Sequence, residues 1–171
     1  MASTLKVDTI QTNDGTGTIA LQNQLSGMTS ASMPTGSVLQ VVSDTSTANT
    51  STASTSYVAT DLSATITPTS TSSKIYIMVT GFMQVSTSQI HGYITMYRDS
   101  TDLGGTQGFG NWYSDNGGFS ELFCSASHLD SPSSTSAITY RVYVKSGSSS
   151  GTAGFGNPFR KHTMTLMEIA G

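Results

Sequence analysis

Apolar residues fall in short, strand-length runs along most of the chain, and no run shows the period of an amphipathic helix. In the clearest run, residues 138–145, four apolar side chains alternate with polar ones. Such alternation places the apolar side chains on one face of a β-strand. Comparable runs recur at intervals of roughly 8 to 20 residues and are separated by turn-forming residues. The pattern predicts an all-β fold, a sandwich or a jelly roll.

The apolar runs give the expected strand positions. We expect strands at 38–42, 57–67, 74–82, 90–98, 119–129, 138–144 and 163–169. The run 74–82 is nearly continuous in apolar residues, which is typical of a strand buried on both faces. In 90–98, the pattern places Ile94 on the face opposite Tyr93 and Tyr97. The Ser/Thr-rich stretch 43–56 is expected to form an exposed loop or a strand edge, and the glycine-rich stretch 104–118 a long loop.

The 171 residues are enough for one domain and an arm. Met33 and Pro34 introduce a turn that predicts a boundary between an N-terminal arm, 1–33, and the main domain, 34–171. The arm is too short to bury a core of its own, so its apolar residues are expected to attach to a partner or to braid with symmetry mates. The predicted attachment residues are Leu5, Val7, Ile10, Ile19 and Leu21.

Charged residues make up only 10% of the chain, whereas Ser and Thr together make up about a third. The net charge is −3 and the seven basic residues are scattered, which argues against nucleic-acid binding. No apolar run is long enough for a membrane-spanning helix, and the N-terminus lacks the basic and apolar regions of a signal peptide. We therefore expect synthesis in a cytoplasm and no membrane insertion.

Several phrases of the sequence resemble small structural and fibre proteins of marine bacteriophages. These are 3–11 (STLKVDTIQ), 33–40 (MPTGSVLQ), 73–77 (SKIYI), 97–104 (YRDSTDLG), 129–132 (LDSP) and 165–171 (TLMEIAG). They cover both ends and much of the middle in a consistent order. The resemblance implies a C-terminal jelly roll similar to those of C1q and tumour necrosis factor, assembled as a homotrimer. It carries no catalytic motif.

The serine, histidine and cysteine residues that could act in catalysis or bind a metal do not form a pattern typical of an enzyme. The segment 147–151 fits Gly-x-Ser-x-Gly, but a nucleophile elbow needs a strand before it and a helix after it. The histidines His91, His128 and His162 lack metal-ligand spacing, although a trimer axis could gather one ligand from each chain. The lone Cys124 fits a buried apolar side chain better than a reactive thiol. We predict no catalytic residue, no metal and no cofactor.

The aromatic residues of the glycine-rich stretch are the best sequence candidates for recognition. They are Phe109, Trp112, Tyr113 and Phe119. Rigid aromatic rings among Gly, Ser and Asn make adaptable contact surfaces, and Tyr and Trp rings can stack on a sugar. The alternative is that these rings cover the core or an interface between copies, because aromatic residues dominate both environments.

Taken with the resemblance, the sequence predicts a non-enzymatic structural protein on the virion surface. The favoured role is capsid decoration, as a cement protein, head knob or head fibre. The alternative is a tail-fibre or receptor-binding tip that adheres to the host, and a glycan-cleaving spike is a third, less favoured reading. The expected partners are two further copies of the chain, the major capsid protein or a tail component through the arm, and a host-surface glycan or receptor.

Overall fold

The computed structural model describes residues 33–87, 89–115 and 118–171. Within them the chain forms antiparallel strands, and no helix is long and apolar enough to cross a membrane. The strands are β1 (Val38–Ser46), β2 (Thr50–Thr52), β3 (Val58–Ile66), β4 (Lys74–Val85), β5 (Ile90–Arg98), β6 (Thr101–Asp102), β7 (Gly110–Ser114), β8 (Ser120–Asp130), β9 (Ile138–Ser146), β10 (Ala153–Phe155) and β11 (His162–Ile169). The predicted attachment residues Leu5, Val7, Ile10, Ile19 and Leu21 lie outside the described residues.

The strands form two sheets, which we call sheet A and sheet B. In sheet A the order is β8-β4-β11-β1, and the short strands β10 and β2 continue it beyond the end of β11. In sheet B the order is β3-β9-β5, and β6 and β7 both pair with the free edge of β5. All pairings are antiparallel. The all-β prediction is therefore confirmed, and the arrangement is a β-sandwich consistent with a jelly roll.

The alternation seen in the sequence decides which side chains form the core. Ile138, Tyr140, Val142 and Val144 of β9 are at most 3% exposed, as the pattern predicted. They face inward-pointing side chains of β4 and β11 across the sandwich. Burying each large apolar side chain contributes about 1.5–3 kcal/mol, so this continuous layer supplies the main force that holds the sheets together.

Two expectations about strands are wrong. The strand β4 is buried on one face only: Ile75 and Ile77 are inaccessible, but Tyr76 is half-buried and Met78 is 36% exposed. The reason is that nothing in the described part of a single chain covers the outer face of sheet A. The stretch 104–118 is not one long loop, because β7 lies inside it and pairs with β5. The sequence did not predict this strand because it contains Gly and Asn, which are both depleted in strands.

A buried ion pair closes one end of the sandwich. The Arg98 guanidinium on β5 donates to both carboxylate oxygens of Asp130 on β8, at 2.8 and 2.9 Å. The Tyr140 hydroxyl on β9 donates to the same carboxylate at 2.7 Å. Asp130 is 6% exposed, so its charge depends on these partners. Because Asp130 belongs to sheet A and its partners to sheet B, the contact fixes one sheet relative to the other.

Candidate interaction surfaces

The outer face of sheet A carries an apolar row that crosses all four of its long strands. The register places Val41 of β1 beside Met167 of β11, Met167 beside Tyr76 of β4, and Tyr76 beside Leu129 of β8. Val41 is 56% exposed and Leu129 is 48% exposed. A row of this width on one side of a sheet is typical of a surface that another molecule covers.

Two hydroxyl-rich rows lie beside the apolar row on the same face. Their residues are Ser43, Thr165, Met78 and Ser127 in the first, and Thr45, Thr163, Thr80 and Ser125 in the second. Among the described residues, no side chain of these three rows carries a charge. Farther along, the Phe82 and Phe123 rings meet edge to face at 5.4 Å between centroids. The three rows are therefore uncharged, and charged side chains lie beyond them on the same face, with Lys74 at one end and Glu121, paired with Arg160, at the other.

The outer face of sheet B is different, because it collects tyrosines. Five of the seven tyrosines of the chain lie on this face, in β5, β7 and β9 and just before β3. These are Tyr57, Tyr93, Tyr97, Tyr113 and Tyr143. The rings contact one another: Tyr97 stacks on Tyr143 at 4.0 Å between centroids, and His91 lies between Tyr93 at 5.7 Å and Tyr113 at 4.6 Å.

A lysine connects the tyrosines to the turn between β6 and β7. The Lys145 ammonium lies 4.5 Å from the Tyr57 ring centroid and 5.2 Å from the Tyr93 ring centroid. It also donates to the Thr106 carbonyl oxygen. Burial, together with the nearby Asp102 carboxylate, raises the pKa of the Tyr57 hydroxyl to about 12. The tyrosine rings thus hold a cation in a fixed position at the surface of sheet B.

The structure separates the four aromatic residues predicted to form a recognition loop. Phe109 and Trp112 pack against the core, and the Trp112 indole donates to the Ser120 hydroxyl at 3.1 Å. Tyr113 is 43% exposed and joins the tyrosines of sheet B, while Phe119 is 66% exposed just before β8. Of the four, these last two are exposed, and Phe109 and Trp112 are half-buried.

The other residues considered for chemistry lie apart. In the segment 147–151, Ser148 and Ser150 share a hydrogen bond at 2.8 Å in the connection between β9 and β10, and no helix follows. Cys124 is half-buried, and burial raises the pKa of its thiol to about 11. No group of His, Cys, Asp and Glu side chains within 33–87, 89–115 and 118–171 is arranged to hold a metal ion.

Two buried ionisable groups lie on β11 in sheet A. The Glu168 carboxylate accepts hydrogen bonds from Ser73, Thr69 and Gln40. Burial alone would raise the pKa of Glu168, but these hydrogen bonds outweigh it and lower the pKa. The inaccessible His162 accepts a bond from the Asn157 amide at 2.8 Å, and burial lowers its pKa. Both groups organise loops at the ends of sheet A, and neither is open to a ligand.

The sequence analysis did not predict the cluster of five tyrosines on the outer face of sheet B, which we call the tyrosine face. Part of the pattern that produces it was visible in the sequence. The even spacing of Tyr93 and Tyr97 already placed them together on one side of β5. The position of Tyr143 and Lys145 beside them depends on the pairing of β5 with β9, which the sequence does not specify.

None of the family models searched matches the chain, and no curated protein matches it.

Proposed function

We propose that this chain is a non-enzymatic structural protein of a bacteriophage virion surface, and that it assembles as a homotrimer of C1q-like jelly rolls. The observation that carries the proposal is the outer face of sheet A. Its apolar row and its hydroxyl-rich rows span four strands without a charge, so a second copy can cover them without stranding an ion. The resemblance of several sequence phrases to phage structural proteins is the reason for proposing the virion setting.

The favoured role is decoration of the capsid. In this arrangement the N-terminal arm attaches the trimer to the major capsid protein, and sheet A of each copy packs toward the trimer axis. Sheet B then faces outward on every copy. An exterior that is rich in Thr and Ser and poor in charge suits a protein whose work is adhesion and reinforcement through buried area.

The tyrosine face supports the alternative role, a tail-fibre or receptor-binding tip. Tyrosine rings supply a large, rigid and amphipathic contact area at low conformational cost. Five of them on one outward face of sheet B offer a recognition surface that pure reinforcement does not need. Cross-linking and mass spectrometry on purified virions separates the two roles, because decoration predicts cross-links from the arm to the major capsid protein and a fibre predicts cross-links to tail proteins.

Light scattering on the full chain tests the assembly. We expect a particle of three times the 17.9 kDa chain mass. Val41→Glu places a charge in the exposed apolar row and should give monomers, because an unpaired carboxylate in an interface is costly. Thr65→Glu adds the same charge to an exposed position of β3 on sheet B and should leave the trimer intact. A wild-type monomer, or a Val41→Glu trimer, would contradict the proposal.

A further inference from the structure

The turn between β6 and β7 and the start of the β9–β10 connection enclose a small open cavity on the outer face of sheet B. Its volume is about 200 Å³, below the size of a site for a drug-like ligand and suited to a single ring. The described residues that line it are Thr55, Tyr93, Thr106, Gln107, Lys145, Ser146 and Gly147. They include one cation and no acid.

The cation in this cavity is held before any ligand arrives. Lys145 lies over the Tyr57 and Tyr93 rings and donates to the Thr106 carbonyl. An ammonium has three donors, so donors remain for a ligand. Holding the side chain in place in the free protein reduces the entropy lost on binding. With no carboxylate in the lining, the complementary ligand group is an anion.

The remaining walls combine a ring with neutral hydrogen-bonding groups. The Tyr93 ring is fixed by stacking on His91 at 5.7 Å. The exposed side chains of Thr55, Thr106 and Gln107 add hydroxyl and amide groups. Gly147 allows the chain to pass close to the ring, since a Cβ there would lie 3.2 Å from an edge carbon of Tyr93. An aromatic ring beside several neutral donors and acceptors suits a pyranose, whose C–H groups pack against the ring while its hydroxyls pair with the polar groups.

We propose that this cavity is a subsite for a carboxylated sugar, such as a uronic acid residue of a surface polysaccharide. The pyranose packs beside the Tyr93 ring, Lys145 pairs with its carboxylate, and Gln107 and the threonines bind its hydroxyls. The inference rests on the alternative role under the proposed function, a receptor-binding tip, since it names the ligand of the recognition surface on sheet B. A site that recognised its ligand by charge alone would need more cations than Lys145, the single cation in this lining, so the ring and the neutral polar groups are expected to contribute to binding.

Isothermal titration of the full chain with oligogalacturonate, and with the neutral galactose oligomer as the matched probe, tests the subsite. We expect binding of the uronate and at least tenfold weaker binding of the neutral sugar, since a charge-assisted hydrogen bond is lost. Lys145→Met should weaken uronate binding about tenfold or more, whereas Lys161→Met, which removes an exposed lysine elsewhere, should leave it unchanged. Uronate binding that survives Lys145→Met, or equal binding of both sugars, would overturn the proposal.

Three further variants guard against a folding artefact, because Lys145 also holds the turn at Thr106. Gln107→Ala changes an exposed side chain and should weaken binding several-fold without changing the thermal unfolding temperature. Tyr93→Phe keeps the ring and should bind normally, whereas Tyr93→Ala should not. Light scattering on the same samples separates the two proposals. A trimer that binds no uronate overturns the sugar subsite alone, and a monomer overturns the proposed assembly.

Discussion

The two outer faces of this sandwich follow the same alternation of residues but present different side chains. In both sheets every second residue points outward, and in both the chain offers mainly Thr, Ser and a few apolar residues. Sheet A places its outward apolar residues in an uncharged row that crosses the strands, and Lys74 lies beyond the row on the same face. Sheet B places tyrosines outward, together with Lys145 and Arg141. The difference shows how register converts one composition into an uncharged apolar row on one face and a tyrosine-rich face with basic side chains on the other.

The two sheets also differ in the ionisable groups that they bury. Sheet A contains Glu168 and His162, whose pKa values are both lowered. Sheet B contains Tyr57, Tyr97 and Tyr140, whose pKa values are all raised. These five groups therefore respond to opposite ends of the pH scale, which allows the comparison to be tested without a ligand or a partner. Cys124 of sheet A is the exception, because burial raises the pKa of its thiol.

The largest expected effect comes from the ion pair that joins the sheets. Asp130→Ala leaves the Arg98 charge and the Tyr140 hydroxyl without their partner. We expect a loss of about 3 kcal/mol in the free energy of unfolding, toward the lower end for a broken buried pair because Arg98 keeps some contact with water. Urea unfolding followed by both tryptophan fluorescence and circular dichroism measures it.

The matched control is the exposed ion pair of Arg160 with Glu121, at the other end of the sandwich. Arg160→Ala removes this pair and a contact of the guanidinium with the Phe82 ring at 4.5 Å. We expect a loss below about 1 kcal/mol, because exposed pairs are screened by water. Equal losses for the two variants would mean that Asp130 does not join the sheets, and that the faces can be disrupted separately.

The next effect concerns acid and sheet A. The Glu168 pKa lies below its ordinary value of 4.5, so the unfolded chain binds the proton first. The stabilisation is complete above about pH 4.5 and is lost as the pH falls through the folded pKa. Glu168→Gln should lower stability at pH 7 by about 1–3 kcal/mol, because four donated hydrogen bonds lose a charged acceptor. The variant should also show a smaller dependence of the free energy of unfolding on pH below pH 4.5.

His162 supplies an internal control for this acid response. Its pKa is lowered from 6.5, so the folded chain binds the proton less readily than the unfolded chain. Stability should therefore decline already as the pH falls below about 6.5. This upper part of the acid response should persist in Glu168→Gln. If that variant flattened the whole profile from pH 7 downward, the assignment of the two groups to separate pH ranges would be wrong.

The sequence predicted these surfaces only in part, because the alternation of apolar and polar residues specifies the face of a strand on which a residue lies and does not specify the neighbouring strand. Alternation placed Ile94 and Tyr93 on opposite faces of β5 correctly, because the pleat alone decides the side on which a residue lies. It did not reveal β7, whose Gly110 and Asn111 lack strand propensity and are held by pairing with β5. It also could not place Met167 beside Tyr76 or Lys145 beside Tyr93. Those contacts depend on which strands become neighbours, and that is decided by non-local packing.

The smallest effect at neutral pH, and the most specific to sheet B, concerns the Tyr57 hydroxyl. This oxygen is buried and has no hydrogen-bond partner among the described residues. Removing it in Tyr57→Phe should leave stability at pH 7 unchanged or slightly higher, since an unpaired buried hydroxyl contributes no bond.

At alkaline pH the Tyr57→Phe variant should differ more from the wild-type chain. The folded pKa is about 12 against an ordinary value of 10, so the unfolded chain loses the proton first and stability falls as the pH rises from 10 toward 12. Tyr57→Phe should reduce that decline and leave the acid response of sheet A unchanged. Urea unfolding at pH 7 and pH 11 provides the measurement, and a clear loss at pH 7 would mean that the hydroxyl has a partner, such as a bound water beneath the 104–108 turn.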